Sequence, residues 1–169
     1  MNMRRFTVLA LGSLMVSGAA LAHADAAHVT ADNVWARASV QGQHASGVFM
    51  RLTAQEPLKL VGVETSAAAV AEVHEMKMDG DVMRMRAIEA LELPKGVAVD
   101  LKPGGYHLML QQLKAPLVKD TQVPITLVFK DAKGAVSRLS LQVPVRMAAP
   151  SGAAGAGGHS HAGHGDHQH

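Results

Sequence analysis

The chain contains no cysteine. Without it there is no disulfide framework, no thiol redox couple, no cysteine nucleophile and no zinc–thiolate site. Aromatic residues make up only 3%, so there is no basic stripe interleaved with stacking rings to bind nucleic acid. A membrane-spanning helix needs about 18 to 20 consecutive apolar residues. The longest candidate, at the N-terminus, runs only from Phe6 to about Val16. An excess of one charge is lacking as well, although the formal net charge of +2 hides this until the chain is divided into its parts.

The division follows from composition. "MNMRRFTVLALGSLMVSGAALAHA" places Arg4 and Arg5 before the short apolar run. Two small-residue sites follow, Ala20-Leu21-Ala22 and Ala22-His23-Ala24. This is the layout of a cleaved secretory leader over residues 1–24. Removing Arg4 and Arg5 from 16 basic residues leaves 14 against 14 acidic ones, a net charge of zero. The other end, residues 148–169, is a glycine–alanine linker leading to His159, His161, His164, His167 and His169. Such a segment cannot bury a core and is expected to be a flexible tail. Its irregularly spaced imidazoles suit metal collection, as a second metal site that accepts Cu(II).

Residues 25–147 remain as the folded domain. Segments such as "GVFMRLT", "DVMRMRAI", "YHLMLQ" and "VPITLVFK" alternate with period two and are separated by Asp79-Gly80, Pro94-Lys95-Gly96, Pro103-Gly104-Gly105 and Lys133-Gly134. About nine strands at this spacing predict an all-β, antiparallel sandwich or barrel. "TSAAAVAE" is the one stretch that reads as a helical turn.

One stretch departs from ordinary usage: "VHEMKMDGDVMRMR", residues 73–86, carries one histidine and four methionines. Asp79-Gly80 between two alternating runs predicts a two-residue type I′ hairpin loop. In that register His74 faces Met85 and Met76 faces Met83. Period two puts His74, Met76, Met78, Met83 and Met85 on one face, and Glu75, Lys77, Arg84 and Arg86 on the other. In "GGYHLMLQ", His107 and Met109 share a face, while Tyr106, Leu108 and Leu110 are expected to enter the core.

Thioethers are neutral, do not titrate and bind hard cations poorly. With imidazole they suit Cu(I), and without thiolate the site is not a blue-copper centre. The expected ligands are His74, Met85, His107 and Met109. Met76, Met78 and Met83 are weighed as apolar surroundings, Met50 and Met147 as core packing, and His28 and His44 as surface residues.

At these positions the sequence resembles the periplasmic copper chaperones written PCu(A)C, with the pattern H(M)-x10-M-x21-H-x-M. Ten residues separate His74 from Met85, twenty-one separate Met85 from His107, and Leu108 separates His107 from Met109. "NVWARA", "SGVFMRLT" and "LKPGGYHLML" extend the likeness over about residues 29 to 146. Glu75 stands where the pattern brackets a methionine. The resemblance implies a cupredoxin-like Greek-key sandwich in the periplasm that binds Cu(I) and passes it toward the copper A centre of cytochrome c oxidase. The implied partners are a copper-accepting periplasmic protein or oxidase domain and a second copper chaperone. His-rich extensions in some members of the family are associated with Cu(II). No enzymatic activity is expected, because a surface His/Met site holds Cu(I) and does not favour cycling. Storage or resistance by sequestration is the alternative to delivery. The mature protein is expected to be a monomer without membrane insertion.

Overall fold

The computed structural model describes residues 25–150. Residues 1–24, where a leader is expected, and all five tail histidines lie outside the described residues. Within them are eleven strands and no helix: β1 (Asp25–Ala26), β2 (Val29–Arg37), β3 (Ala45–Ala54), β4 (Leu58–Glu64), β5 (Ala68–Asp79), β6 (Val82–Ala87), β7 (Leu91–Leu93), β8 (Ala98–Leu101), β9 (His107–Leu113), β10 (Gln122–Lys130) and β11 (Val136–Arg146).

The strands pair in the order β6-β5-β9-β3-β2-β11-β10-β4-β7, with β1 on β11 and β8 on β3. β11 links two layers. Along most of its length it runs antiparallel to β10, and at Val145 and Arg146 it pairs in parallel with Ala36 and Arg37 of β2. One layer is therefore β6-β5-β9-β3-β2 and the other β11-β10-β4-β7. The core between them takes alternate residues from each side. Val48, Met50 and Leu52 of β3 meet Leu108 and Leu110 of β9 and Val73 of β5 on one side, with Leu60, Ile125, Leu127, Phe129 and Val143 on the other. Each such side chain fully removed from water contributes roughly 1.5 to 3 kcal/mol before entropy is charged against it.

The sandwich is all-β, as the alternation predicts, but several local expectations change. The strand count is eleven because β1 and β7, of two and three residues, are too short to show a period. The pairing is mixed, since β1–β11 and β11–β2 are parallel. "TSAAAVAE" is not a helical turn: from Ala68 it pairs with β9, Ala68 opposite Leu113 and Val70 opposite Gln111. Sheet pairing and the burial of Ala68 override the helix preference of its alanines. Tyr106 precedes β9, stays 36% exposed and does not enter the core. Met147, beyond β11, is exposed as well.

The hairpin also differs in register. Asp79 pairs with Val82, so Gly80-Asp81 is the loop. Gly80 alone takes a positive φ, 60°, which fits a loop with glycine at its first central position and not a type I′ loop. An Asp79-Gly80 loop of the expected kind would have forced Asp79 into the left-handed region. Asp79 instead completes the ladder and binds Arg84 at 2.8 Å. His74 thus faces Ala87, Met76 faces Met85, and Met78 faces Met83. The shift is by two, so every residue keeps its face.

Candidate metal centre

The site lies on the outer surface of the β5–β9–β3 layer, directly over the core. On β9, Leu108 and Leu110 are fully buried inward, which turns His107 and Met109 outward. On β5, Val73 enters the core, so Glu72, His74 and Met76 share the outer face. The β5–β9 register then sets His74 beside His107 and Glu72 beside Met109. Both histidines are buried, with ring centroids 5.8 Å apart.

Gly47 of β3 pairs with Met109. A Cβ at position 47 would come within 2.7 Å of the Phe49 ring. Glycine there lets the ring lie against the strand, 6.3 Å from His107. Trp35 packs on the same ring at 4.7 Å, and the Arg37 guanidinium lies over it at 5.6 Å. Aromatic packing thus walls the β3 side of the site.

Hydrogen bonding fixes which nitrogen of His107 is available. Its Nδ1–H donates to the Gly105 carbonyl at 3.1 Å. Burial lowers the pKa of the ring below the ordinary imidazole value. The Gly105 bond opposes that shift and the neighbouring His74 adds to it. The ring is therefore neutral at pH 7, with its free electron pair on Nε2. That atom is 3.2 Å from the Met85 sulfur. A thioether has no proton to give, so two electron-pair donors point at each other. The opposite tautomer would set a bare Nδ1 against the Gly105 carbonyl, which is worse.

His74 is held differently. Its Nε2–H donates to Glu72 Oε2 at 3.0 Å, and Gln111 Nε2 donates to the same oxygen at 3.2 Å. The electron pair of His74 is then on Nδ1, which is buried without a hydrogen-bond partner.

Met76, Met85, His107 and Met109 line a shallow cavity of about 330 Å³ bounded by Gly47 and Phe49. Three of the four expected ligands thus surround one space. His74, paired with His107 on the neighbouring strand, does not line it. Met76, weighed as surroundings, lines it because the register sets it opposite Met85. Glu72 was not anticipated, although its two-residue spacing from His74 puts both on one strand face. No group of three His, Asp or Glu side chains converges among the described residues. A metal held here must be held by sulfur as well as nitrogen, which selects soft cations. His28 and His44 are exposed and do not line this cavity, although Gln43 and Ala45 on either side of His44 do, and Met50 is in the core.

A family model described as "Putative lipoprotein LpqE-like" matches residues 29–145. The protein is similar to "Putative lipoprotein Lxx21020" of Leifsonia xyli subsp. xyli (strain CTCB07), 31% identical over 119 residues, which cover 70% of this chain and 69% of that one. Among solved structures, the copper-bound PCuAC domain from PmoF2 superposes with a TM-score of 0.56 at 23% identity, over 76% of this chain and 99% of the domain. The solution structure of apo-DR1885 from Deinococcus radiodurans gives 0.52 at 25% identity, over 86% of this chain and 98% of that one. Both likenesses are of the whole β-sandwich.

Proposed function

The chain belongs to the LpqE-like family, with the cupredoxin-like fold of PCuAC domains, and from that premise we propose that it is an exported copper chaperone carrying Cu(I) on the outer face of β5, β6 and β9. The observation that supports this most strongly is the 3.2 Å approach of His107 Nε2 to the Met85 sulfur with no proton between them. Metal–nitrogen and metal–sulfur bonds near 2.0 and 2.3 Å, the lengths found at zinc, separate two such ligands by about 3.0 to 3.5 Å at angles between 90 and 109°. The pair is already spaced for one soft ion. Met109 and Met76 supply further thioethers across the same cavity, and the unpartnered Nδ1 of His74 is a buried electron pair that a cation would satisfy.

The lipoprotein name of the Leifsonia relative supports export, and no described helix is long and apolar enough to cross a membrane. The acceptor we propose is the copper A centre of cytochrome c oxidase, reached through a periplasmic copper-accepting partner. The exposure of Met85 on β6 suits ligand exchange with such an acceptor better than long-term storage. No catalytic role is assigned. The tail histidines are proposed to take Cu(II) separately.

The test is transfer. The mature protein loaded with one Cu(I) is mixed anaerobically with an apo copper A domain, and the copper on each is measured after separation. Copper moving to the acceptor is the expected result. Copper that stays on the donor at equilibrium would mean sequestration, and failure to load any Cu(I) would refute the copper reading itself.

A further inference from the structure

We propose that Met78 and Met83 form a second, outer Cu(I) station at the tip of the hairpin, one strand step away from the inner cavity. This rests on the copper reading above and extends it to residues that the inner cavity does not use.

The geometry begins with where the sheet ends. β5 is paired on both sides only as far as Met76, whose N–H donates to the Gly105 carbonyl at 3.2 Å. Beyond that point β5 has β6 as its one partner, and the hairpin projects past the sheet. Met78 and Met83 oppose each other there, and Met76 and Met85 form the next pair inward on the same face. Directly opposed residues have β carbons about 4.5 to 5.5 Å apart, within reach of two flexible thioethers closing on one ion. Two residues along a strand advance about 7 Å. The hairpin thus carries two pairs of soft ligands in file, the inner one ending at His107.

Packing does not account for the outer pair. Met78 is 54% and Met83 49% exposed, and neither belongs to the core. A methionine used as a gap filler is buried. The same hairpin keeps its charges on its opposite face, where Arg86 binds Glu75 and Arg84 binds Asp79. The strand residues on the methionine face, Met76, Met78, Met83 and Met85, thus bring neither carboxylate nor ammonium of their own, although Met78 lines a cavity with Lys77, Asp79, Arg84 and Arg86 at the hairpin edge. Cu(I) prefers such neutral sulfur. With thioethers alone and no imidazole, the outer station should bind more weakly than the inner one. That is the order needed for an ion to move inward.

The test is an anaerobic titration of the full mature chain with Cu(I), supplied as its acetonitrile complex, with the methionine methyl groups labelled for NMR. The first equivalent is expected to shift the Met85 and Met109 methyls, and the second those of Met78 and Met83. Replacing both outer residues in Met78→Leu/Met83→Leu keeps the apolar surface and nearly the volume while removing the sulfurs. That variant should bind one Cu(I) fewer per chain and keep the affinity of the first. If the Met78 and Met83 methyls stay still through the second equivalent while Met85 responds, the outer station does not exist and the inner reading stands. If no methionine responds, both fall. A double-leucine variant with an undiminished Cu(I) count would show that the exposed patch serves as apolar surface alone.

Discussion

The two halves of β5 do opposite things with the same alternation. From Ala68 to His74 the strand is paired with β9, and its outward side chains are locked. His74 is buried, bonded to Glu72, and set beside His107 by register. From Met76 to Asp79 the strand leaves the sheet, and its outward side chains are increasingly exposed sulfurs. The inner half is rigid and pre-arranged, which favours affinity. The outer half is accessible, which favours exchange. A carrier needs both, and here one continuous strand supplies them in sequence.

The sharpest way to break the comparison is to separate scaffold from site on one strand. Leu108 and His107 are adjacent on β9 but face opposite ways. Leu108→Ala should destabilise the fold by about 2 to 5 kcal/mol through the cavity it leaves. Chemical denaturation would measure this, with Cu(I) affinity preserved in the molecules that remain folded. Met85→Leu or Met109→Leu should do the reverse. Stability should change by less than about 1.5 kcal/mol, because the swap nearly conserves volume and polarity. Cu(I) affinity in a competition titration should fall by more than the roughly 10- to 100-fold typical of losing an outer-shell partner. Equal affinity in both methionine variants would remove the assigned site.

A smaller effect is expected one shell out. Glu72 fixes the His74 tautomer by accepting its Nε2–H. Glu72→Ala should weaken Cu(I) binding by about tenfold, and Glu72→Gln, whose amide oxygen can still accept, by less. The imidazole nitrogen shifts of His74 in the metal-free protein would report the tautomer directly. If alanine left the tautomer unchanged, the carboxylate would be a bystander.

Much of this surface was legible in sequence because side-chain period survives errors of register. The predicted hairpin loop was wrong, yet a shift of two residues returns every side chain to its face, so the ridge from His74 to Met85 stands. What the shift changed was partnership: Met76, and not His74, lies opposite Met85. The left-handed requirement at the loop decides that, and a "DGD" sequence offers glycine to either frame. The pairing of His74 with His107 was illegible for another reason. It depends on how β5 aligns with β9 across more than thirty intervening residues, and no local pattern encodes that. Phe49 against Gly47 was hidden likewise, since the need for glycine there appears only once the ring is seen lying over it.

The smallest effect concerns acid, and it again divides the buried part of the site from the exposed part. His107 has its pKa lowered, chiefly by burial. Its unfolded value is about 6.5. Above that pH the ring is neutral in both states and contributes nothing to the pH dependence of stability. As pH falls below about 6.5, the unfolded chain takes up its proton first, while the folded ring resists until its own lower pKa is reached. The unfolded state then binds more protons, so the stability of the metal-free protein should decline with acid across that interval. Copper binding should follow the folded value instead: Nε2 keeps its electron pair to lower pH than a free imidazole would, and the thioethers do not titrate at all. The part of Cu(I) affinity that His107 supplies should therefore hold, from pH 7 downward, beyond the point where an ordinary imidazole begins to fail. In His107→Leu that part of the acid decline in metal-free stability should disappear. A variant with the same pH slope as the parent would show that His107 is not the group that titrates.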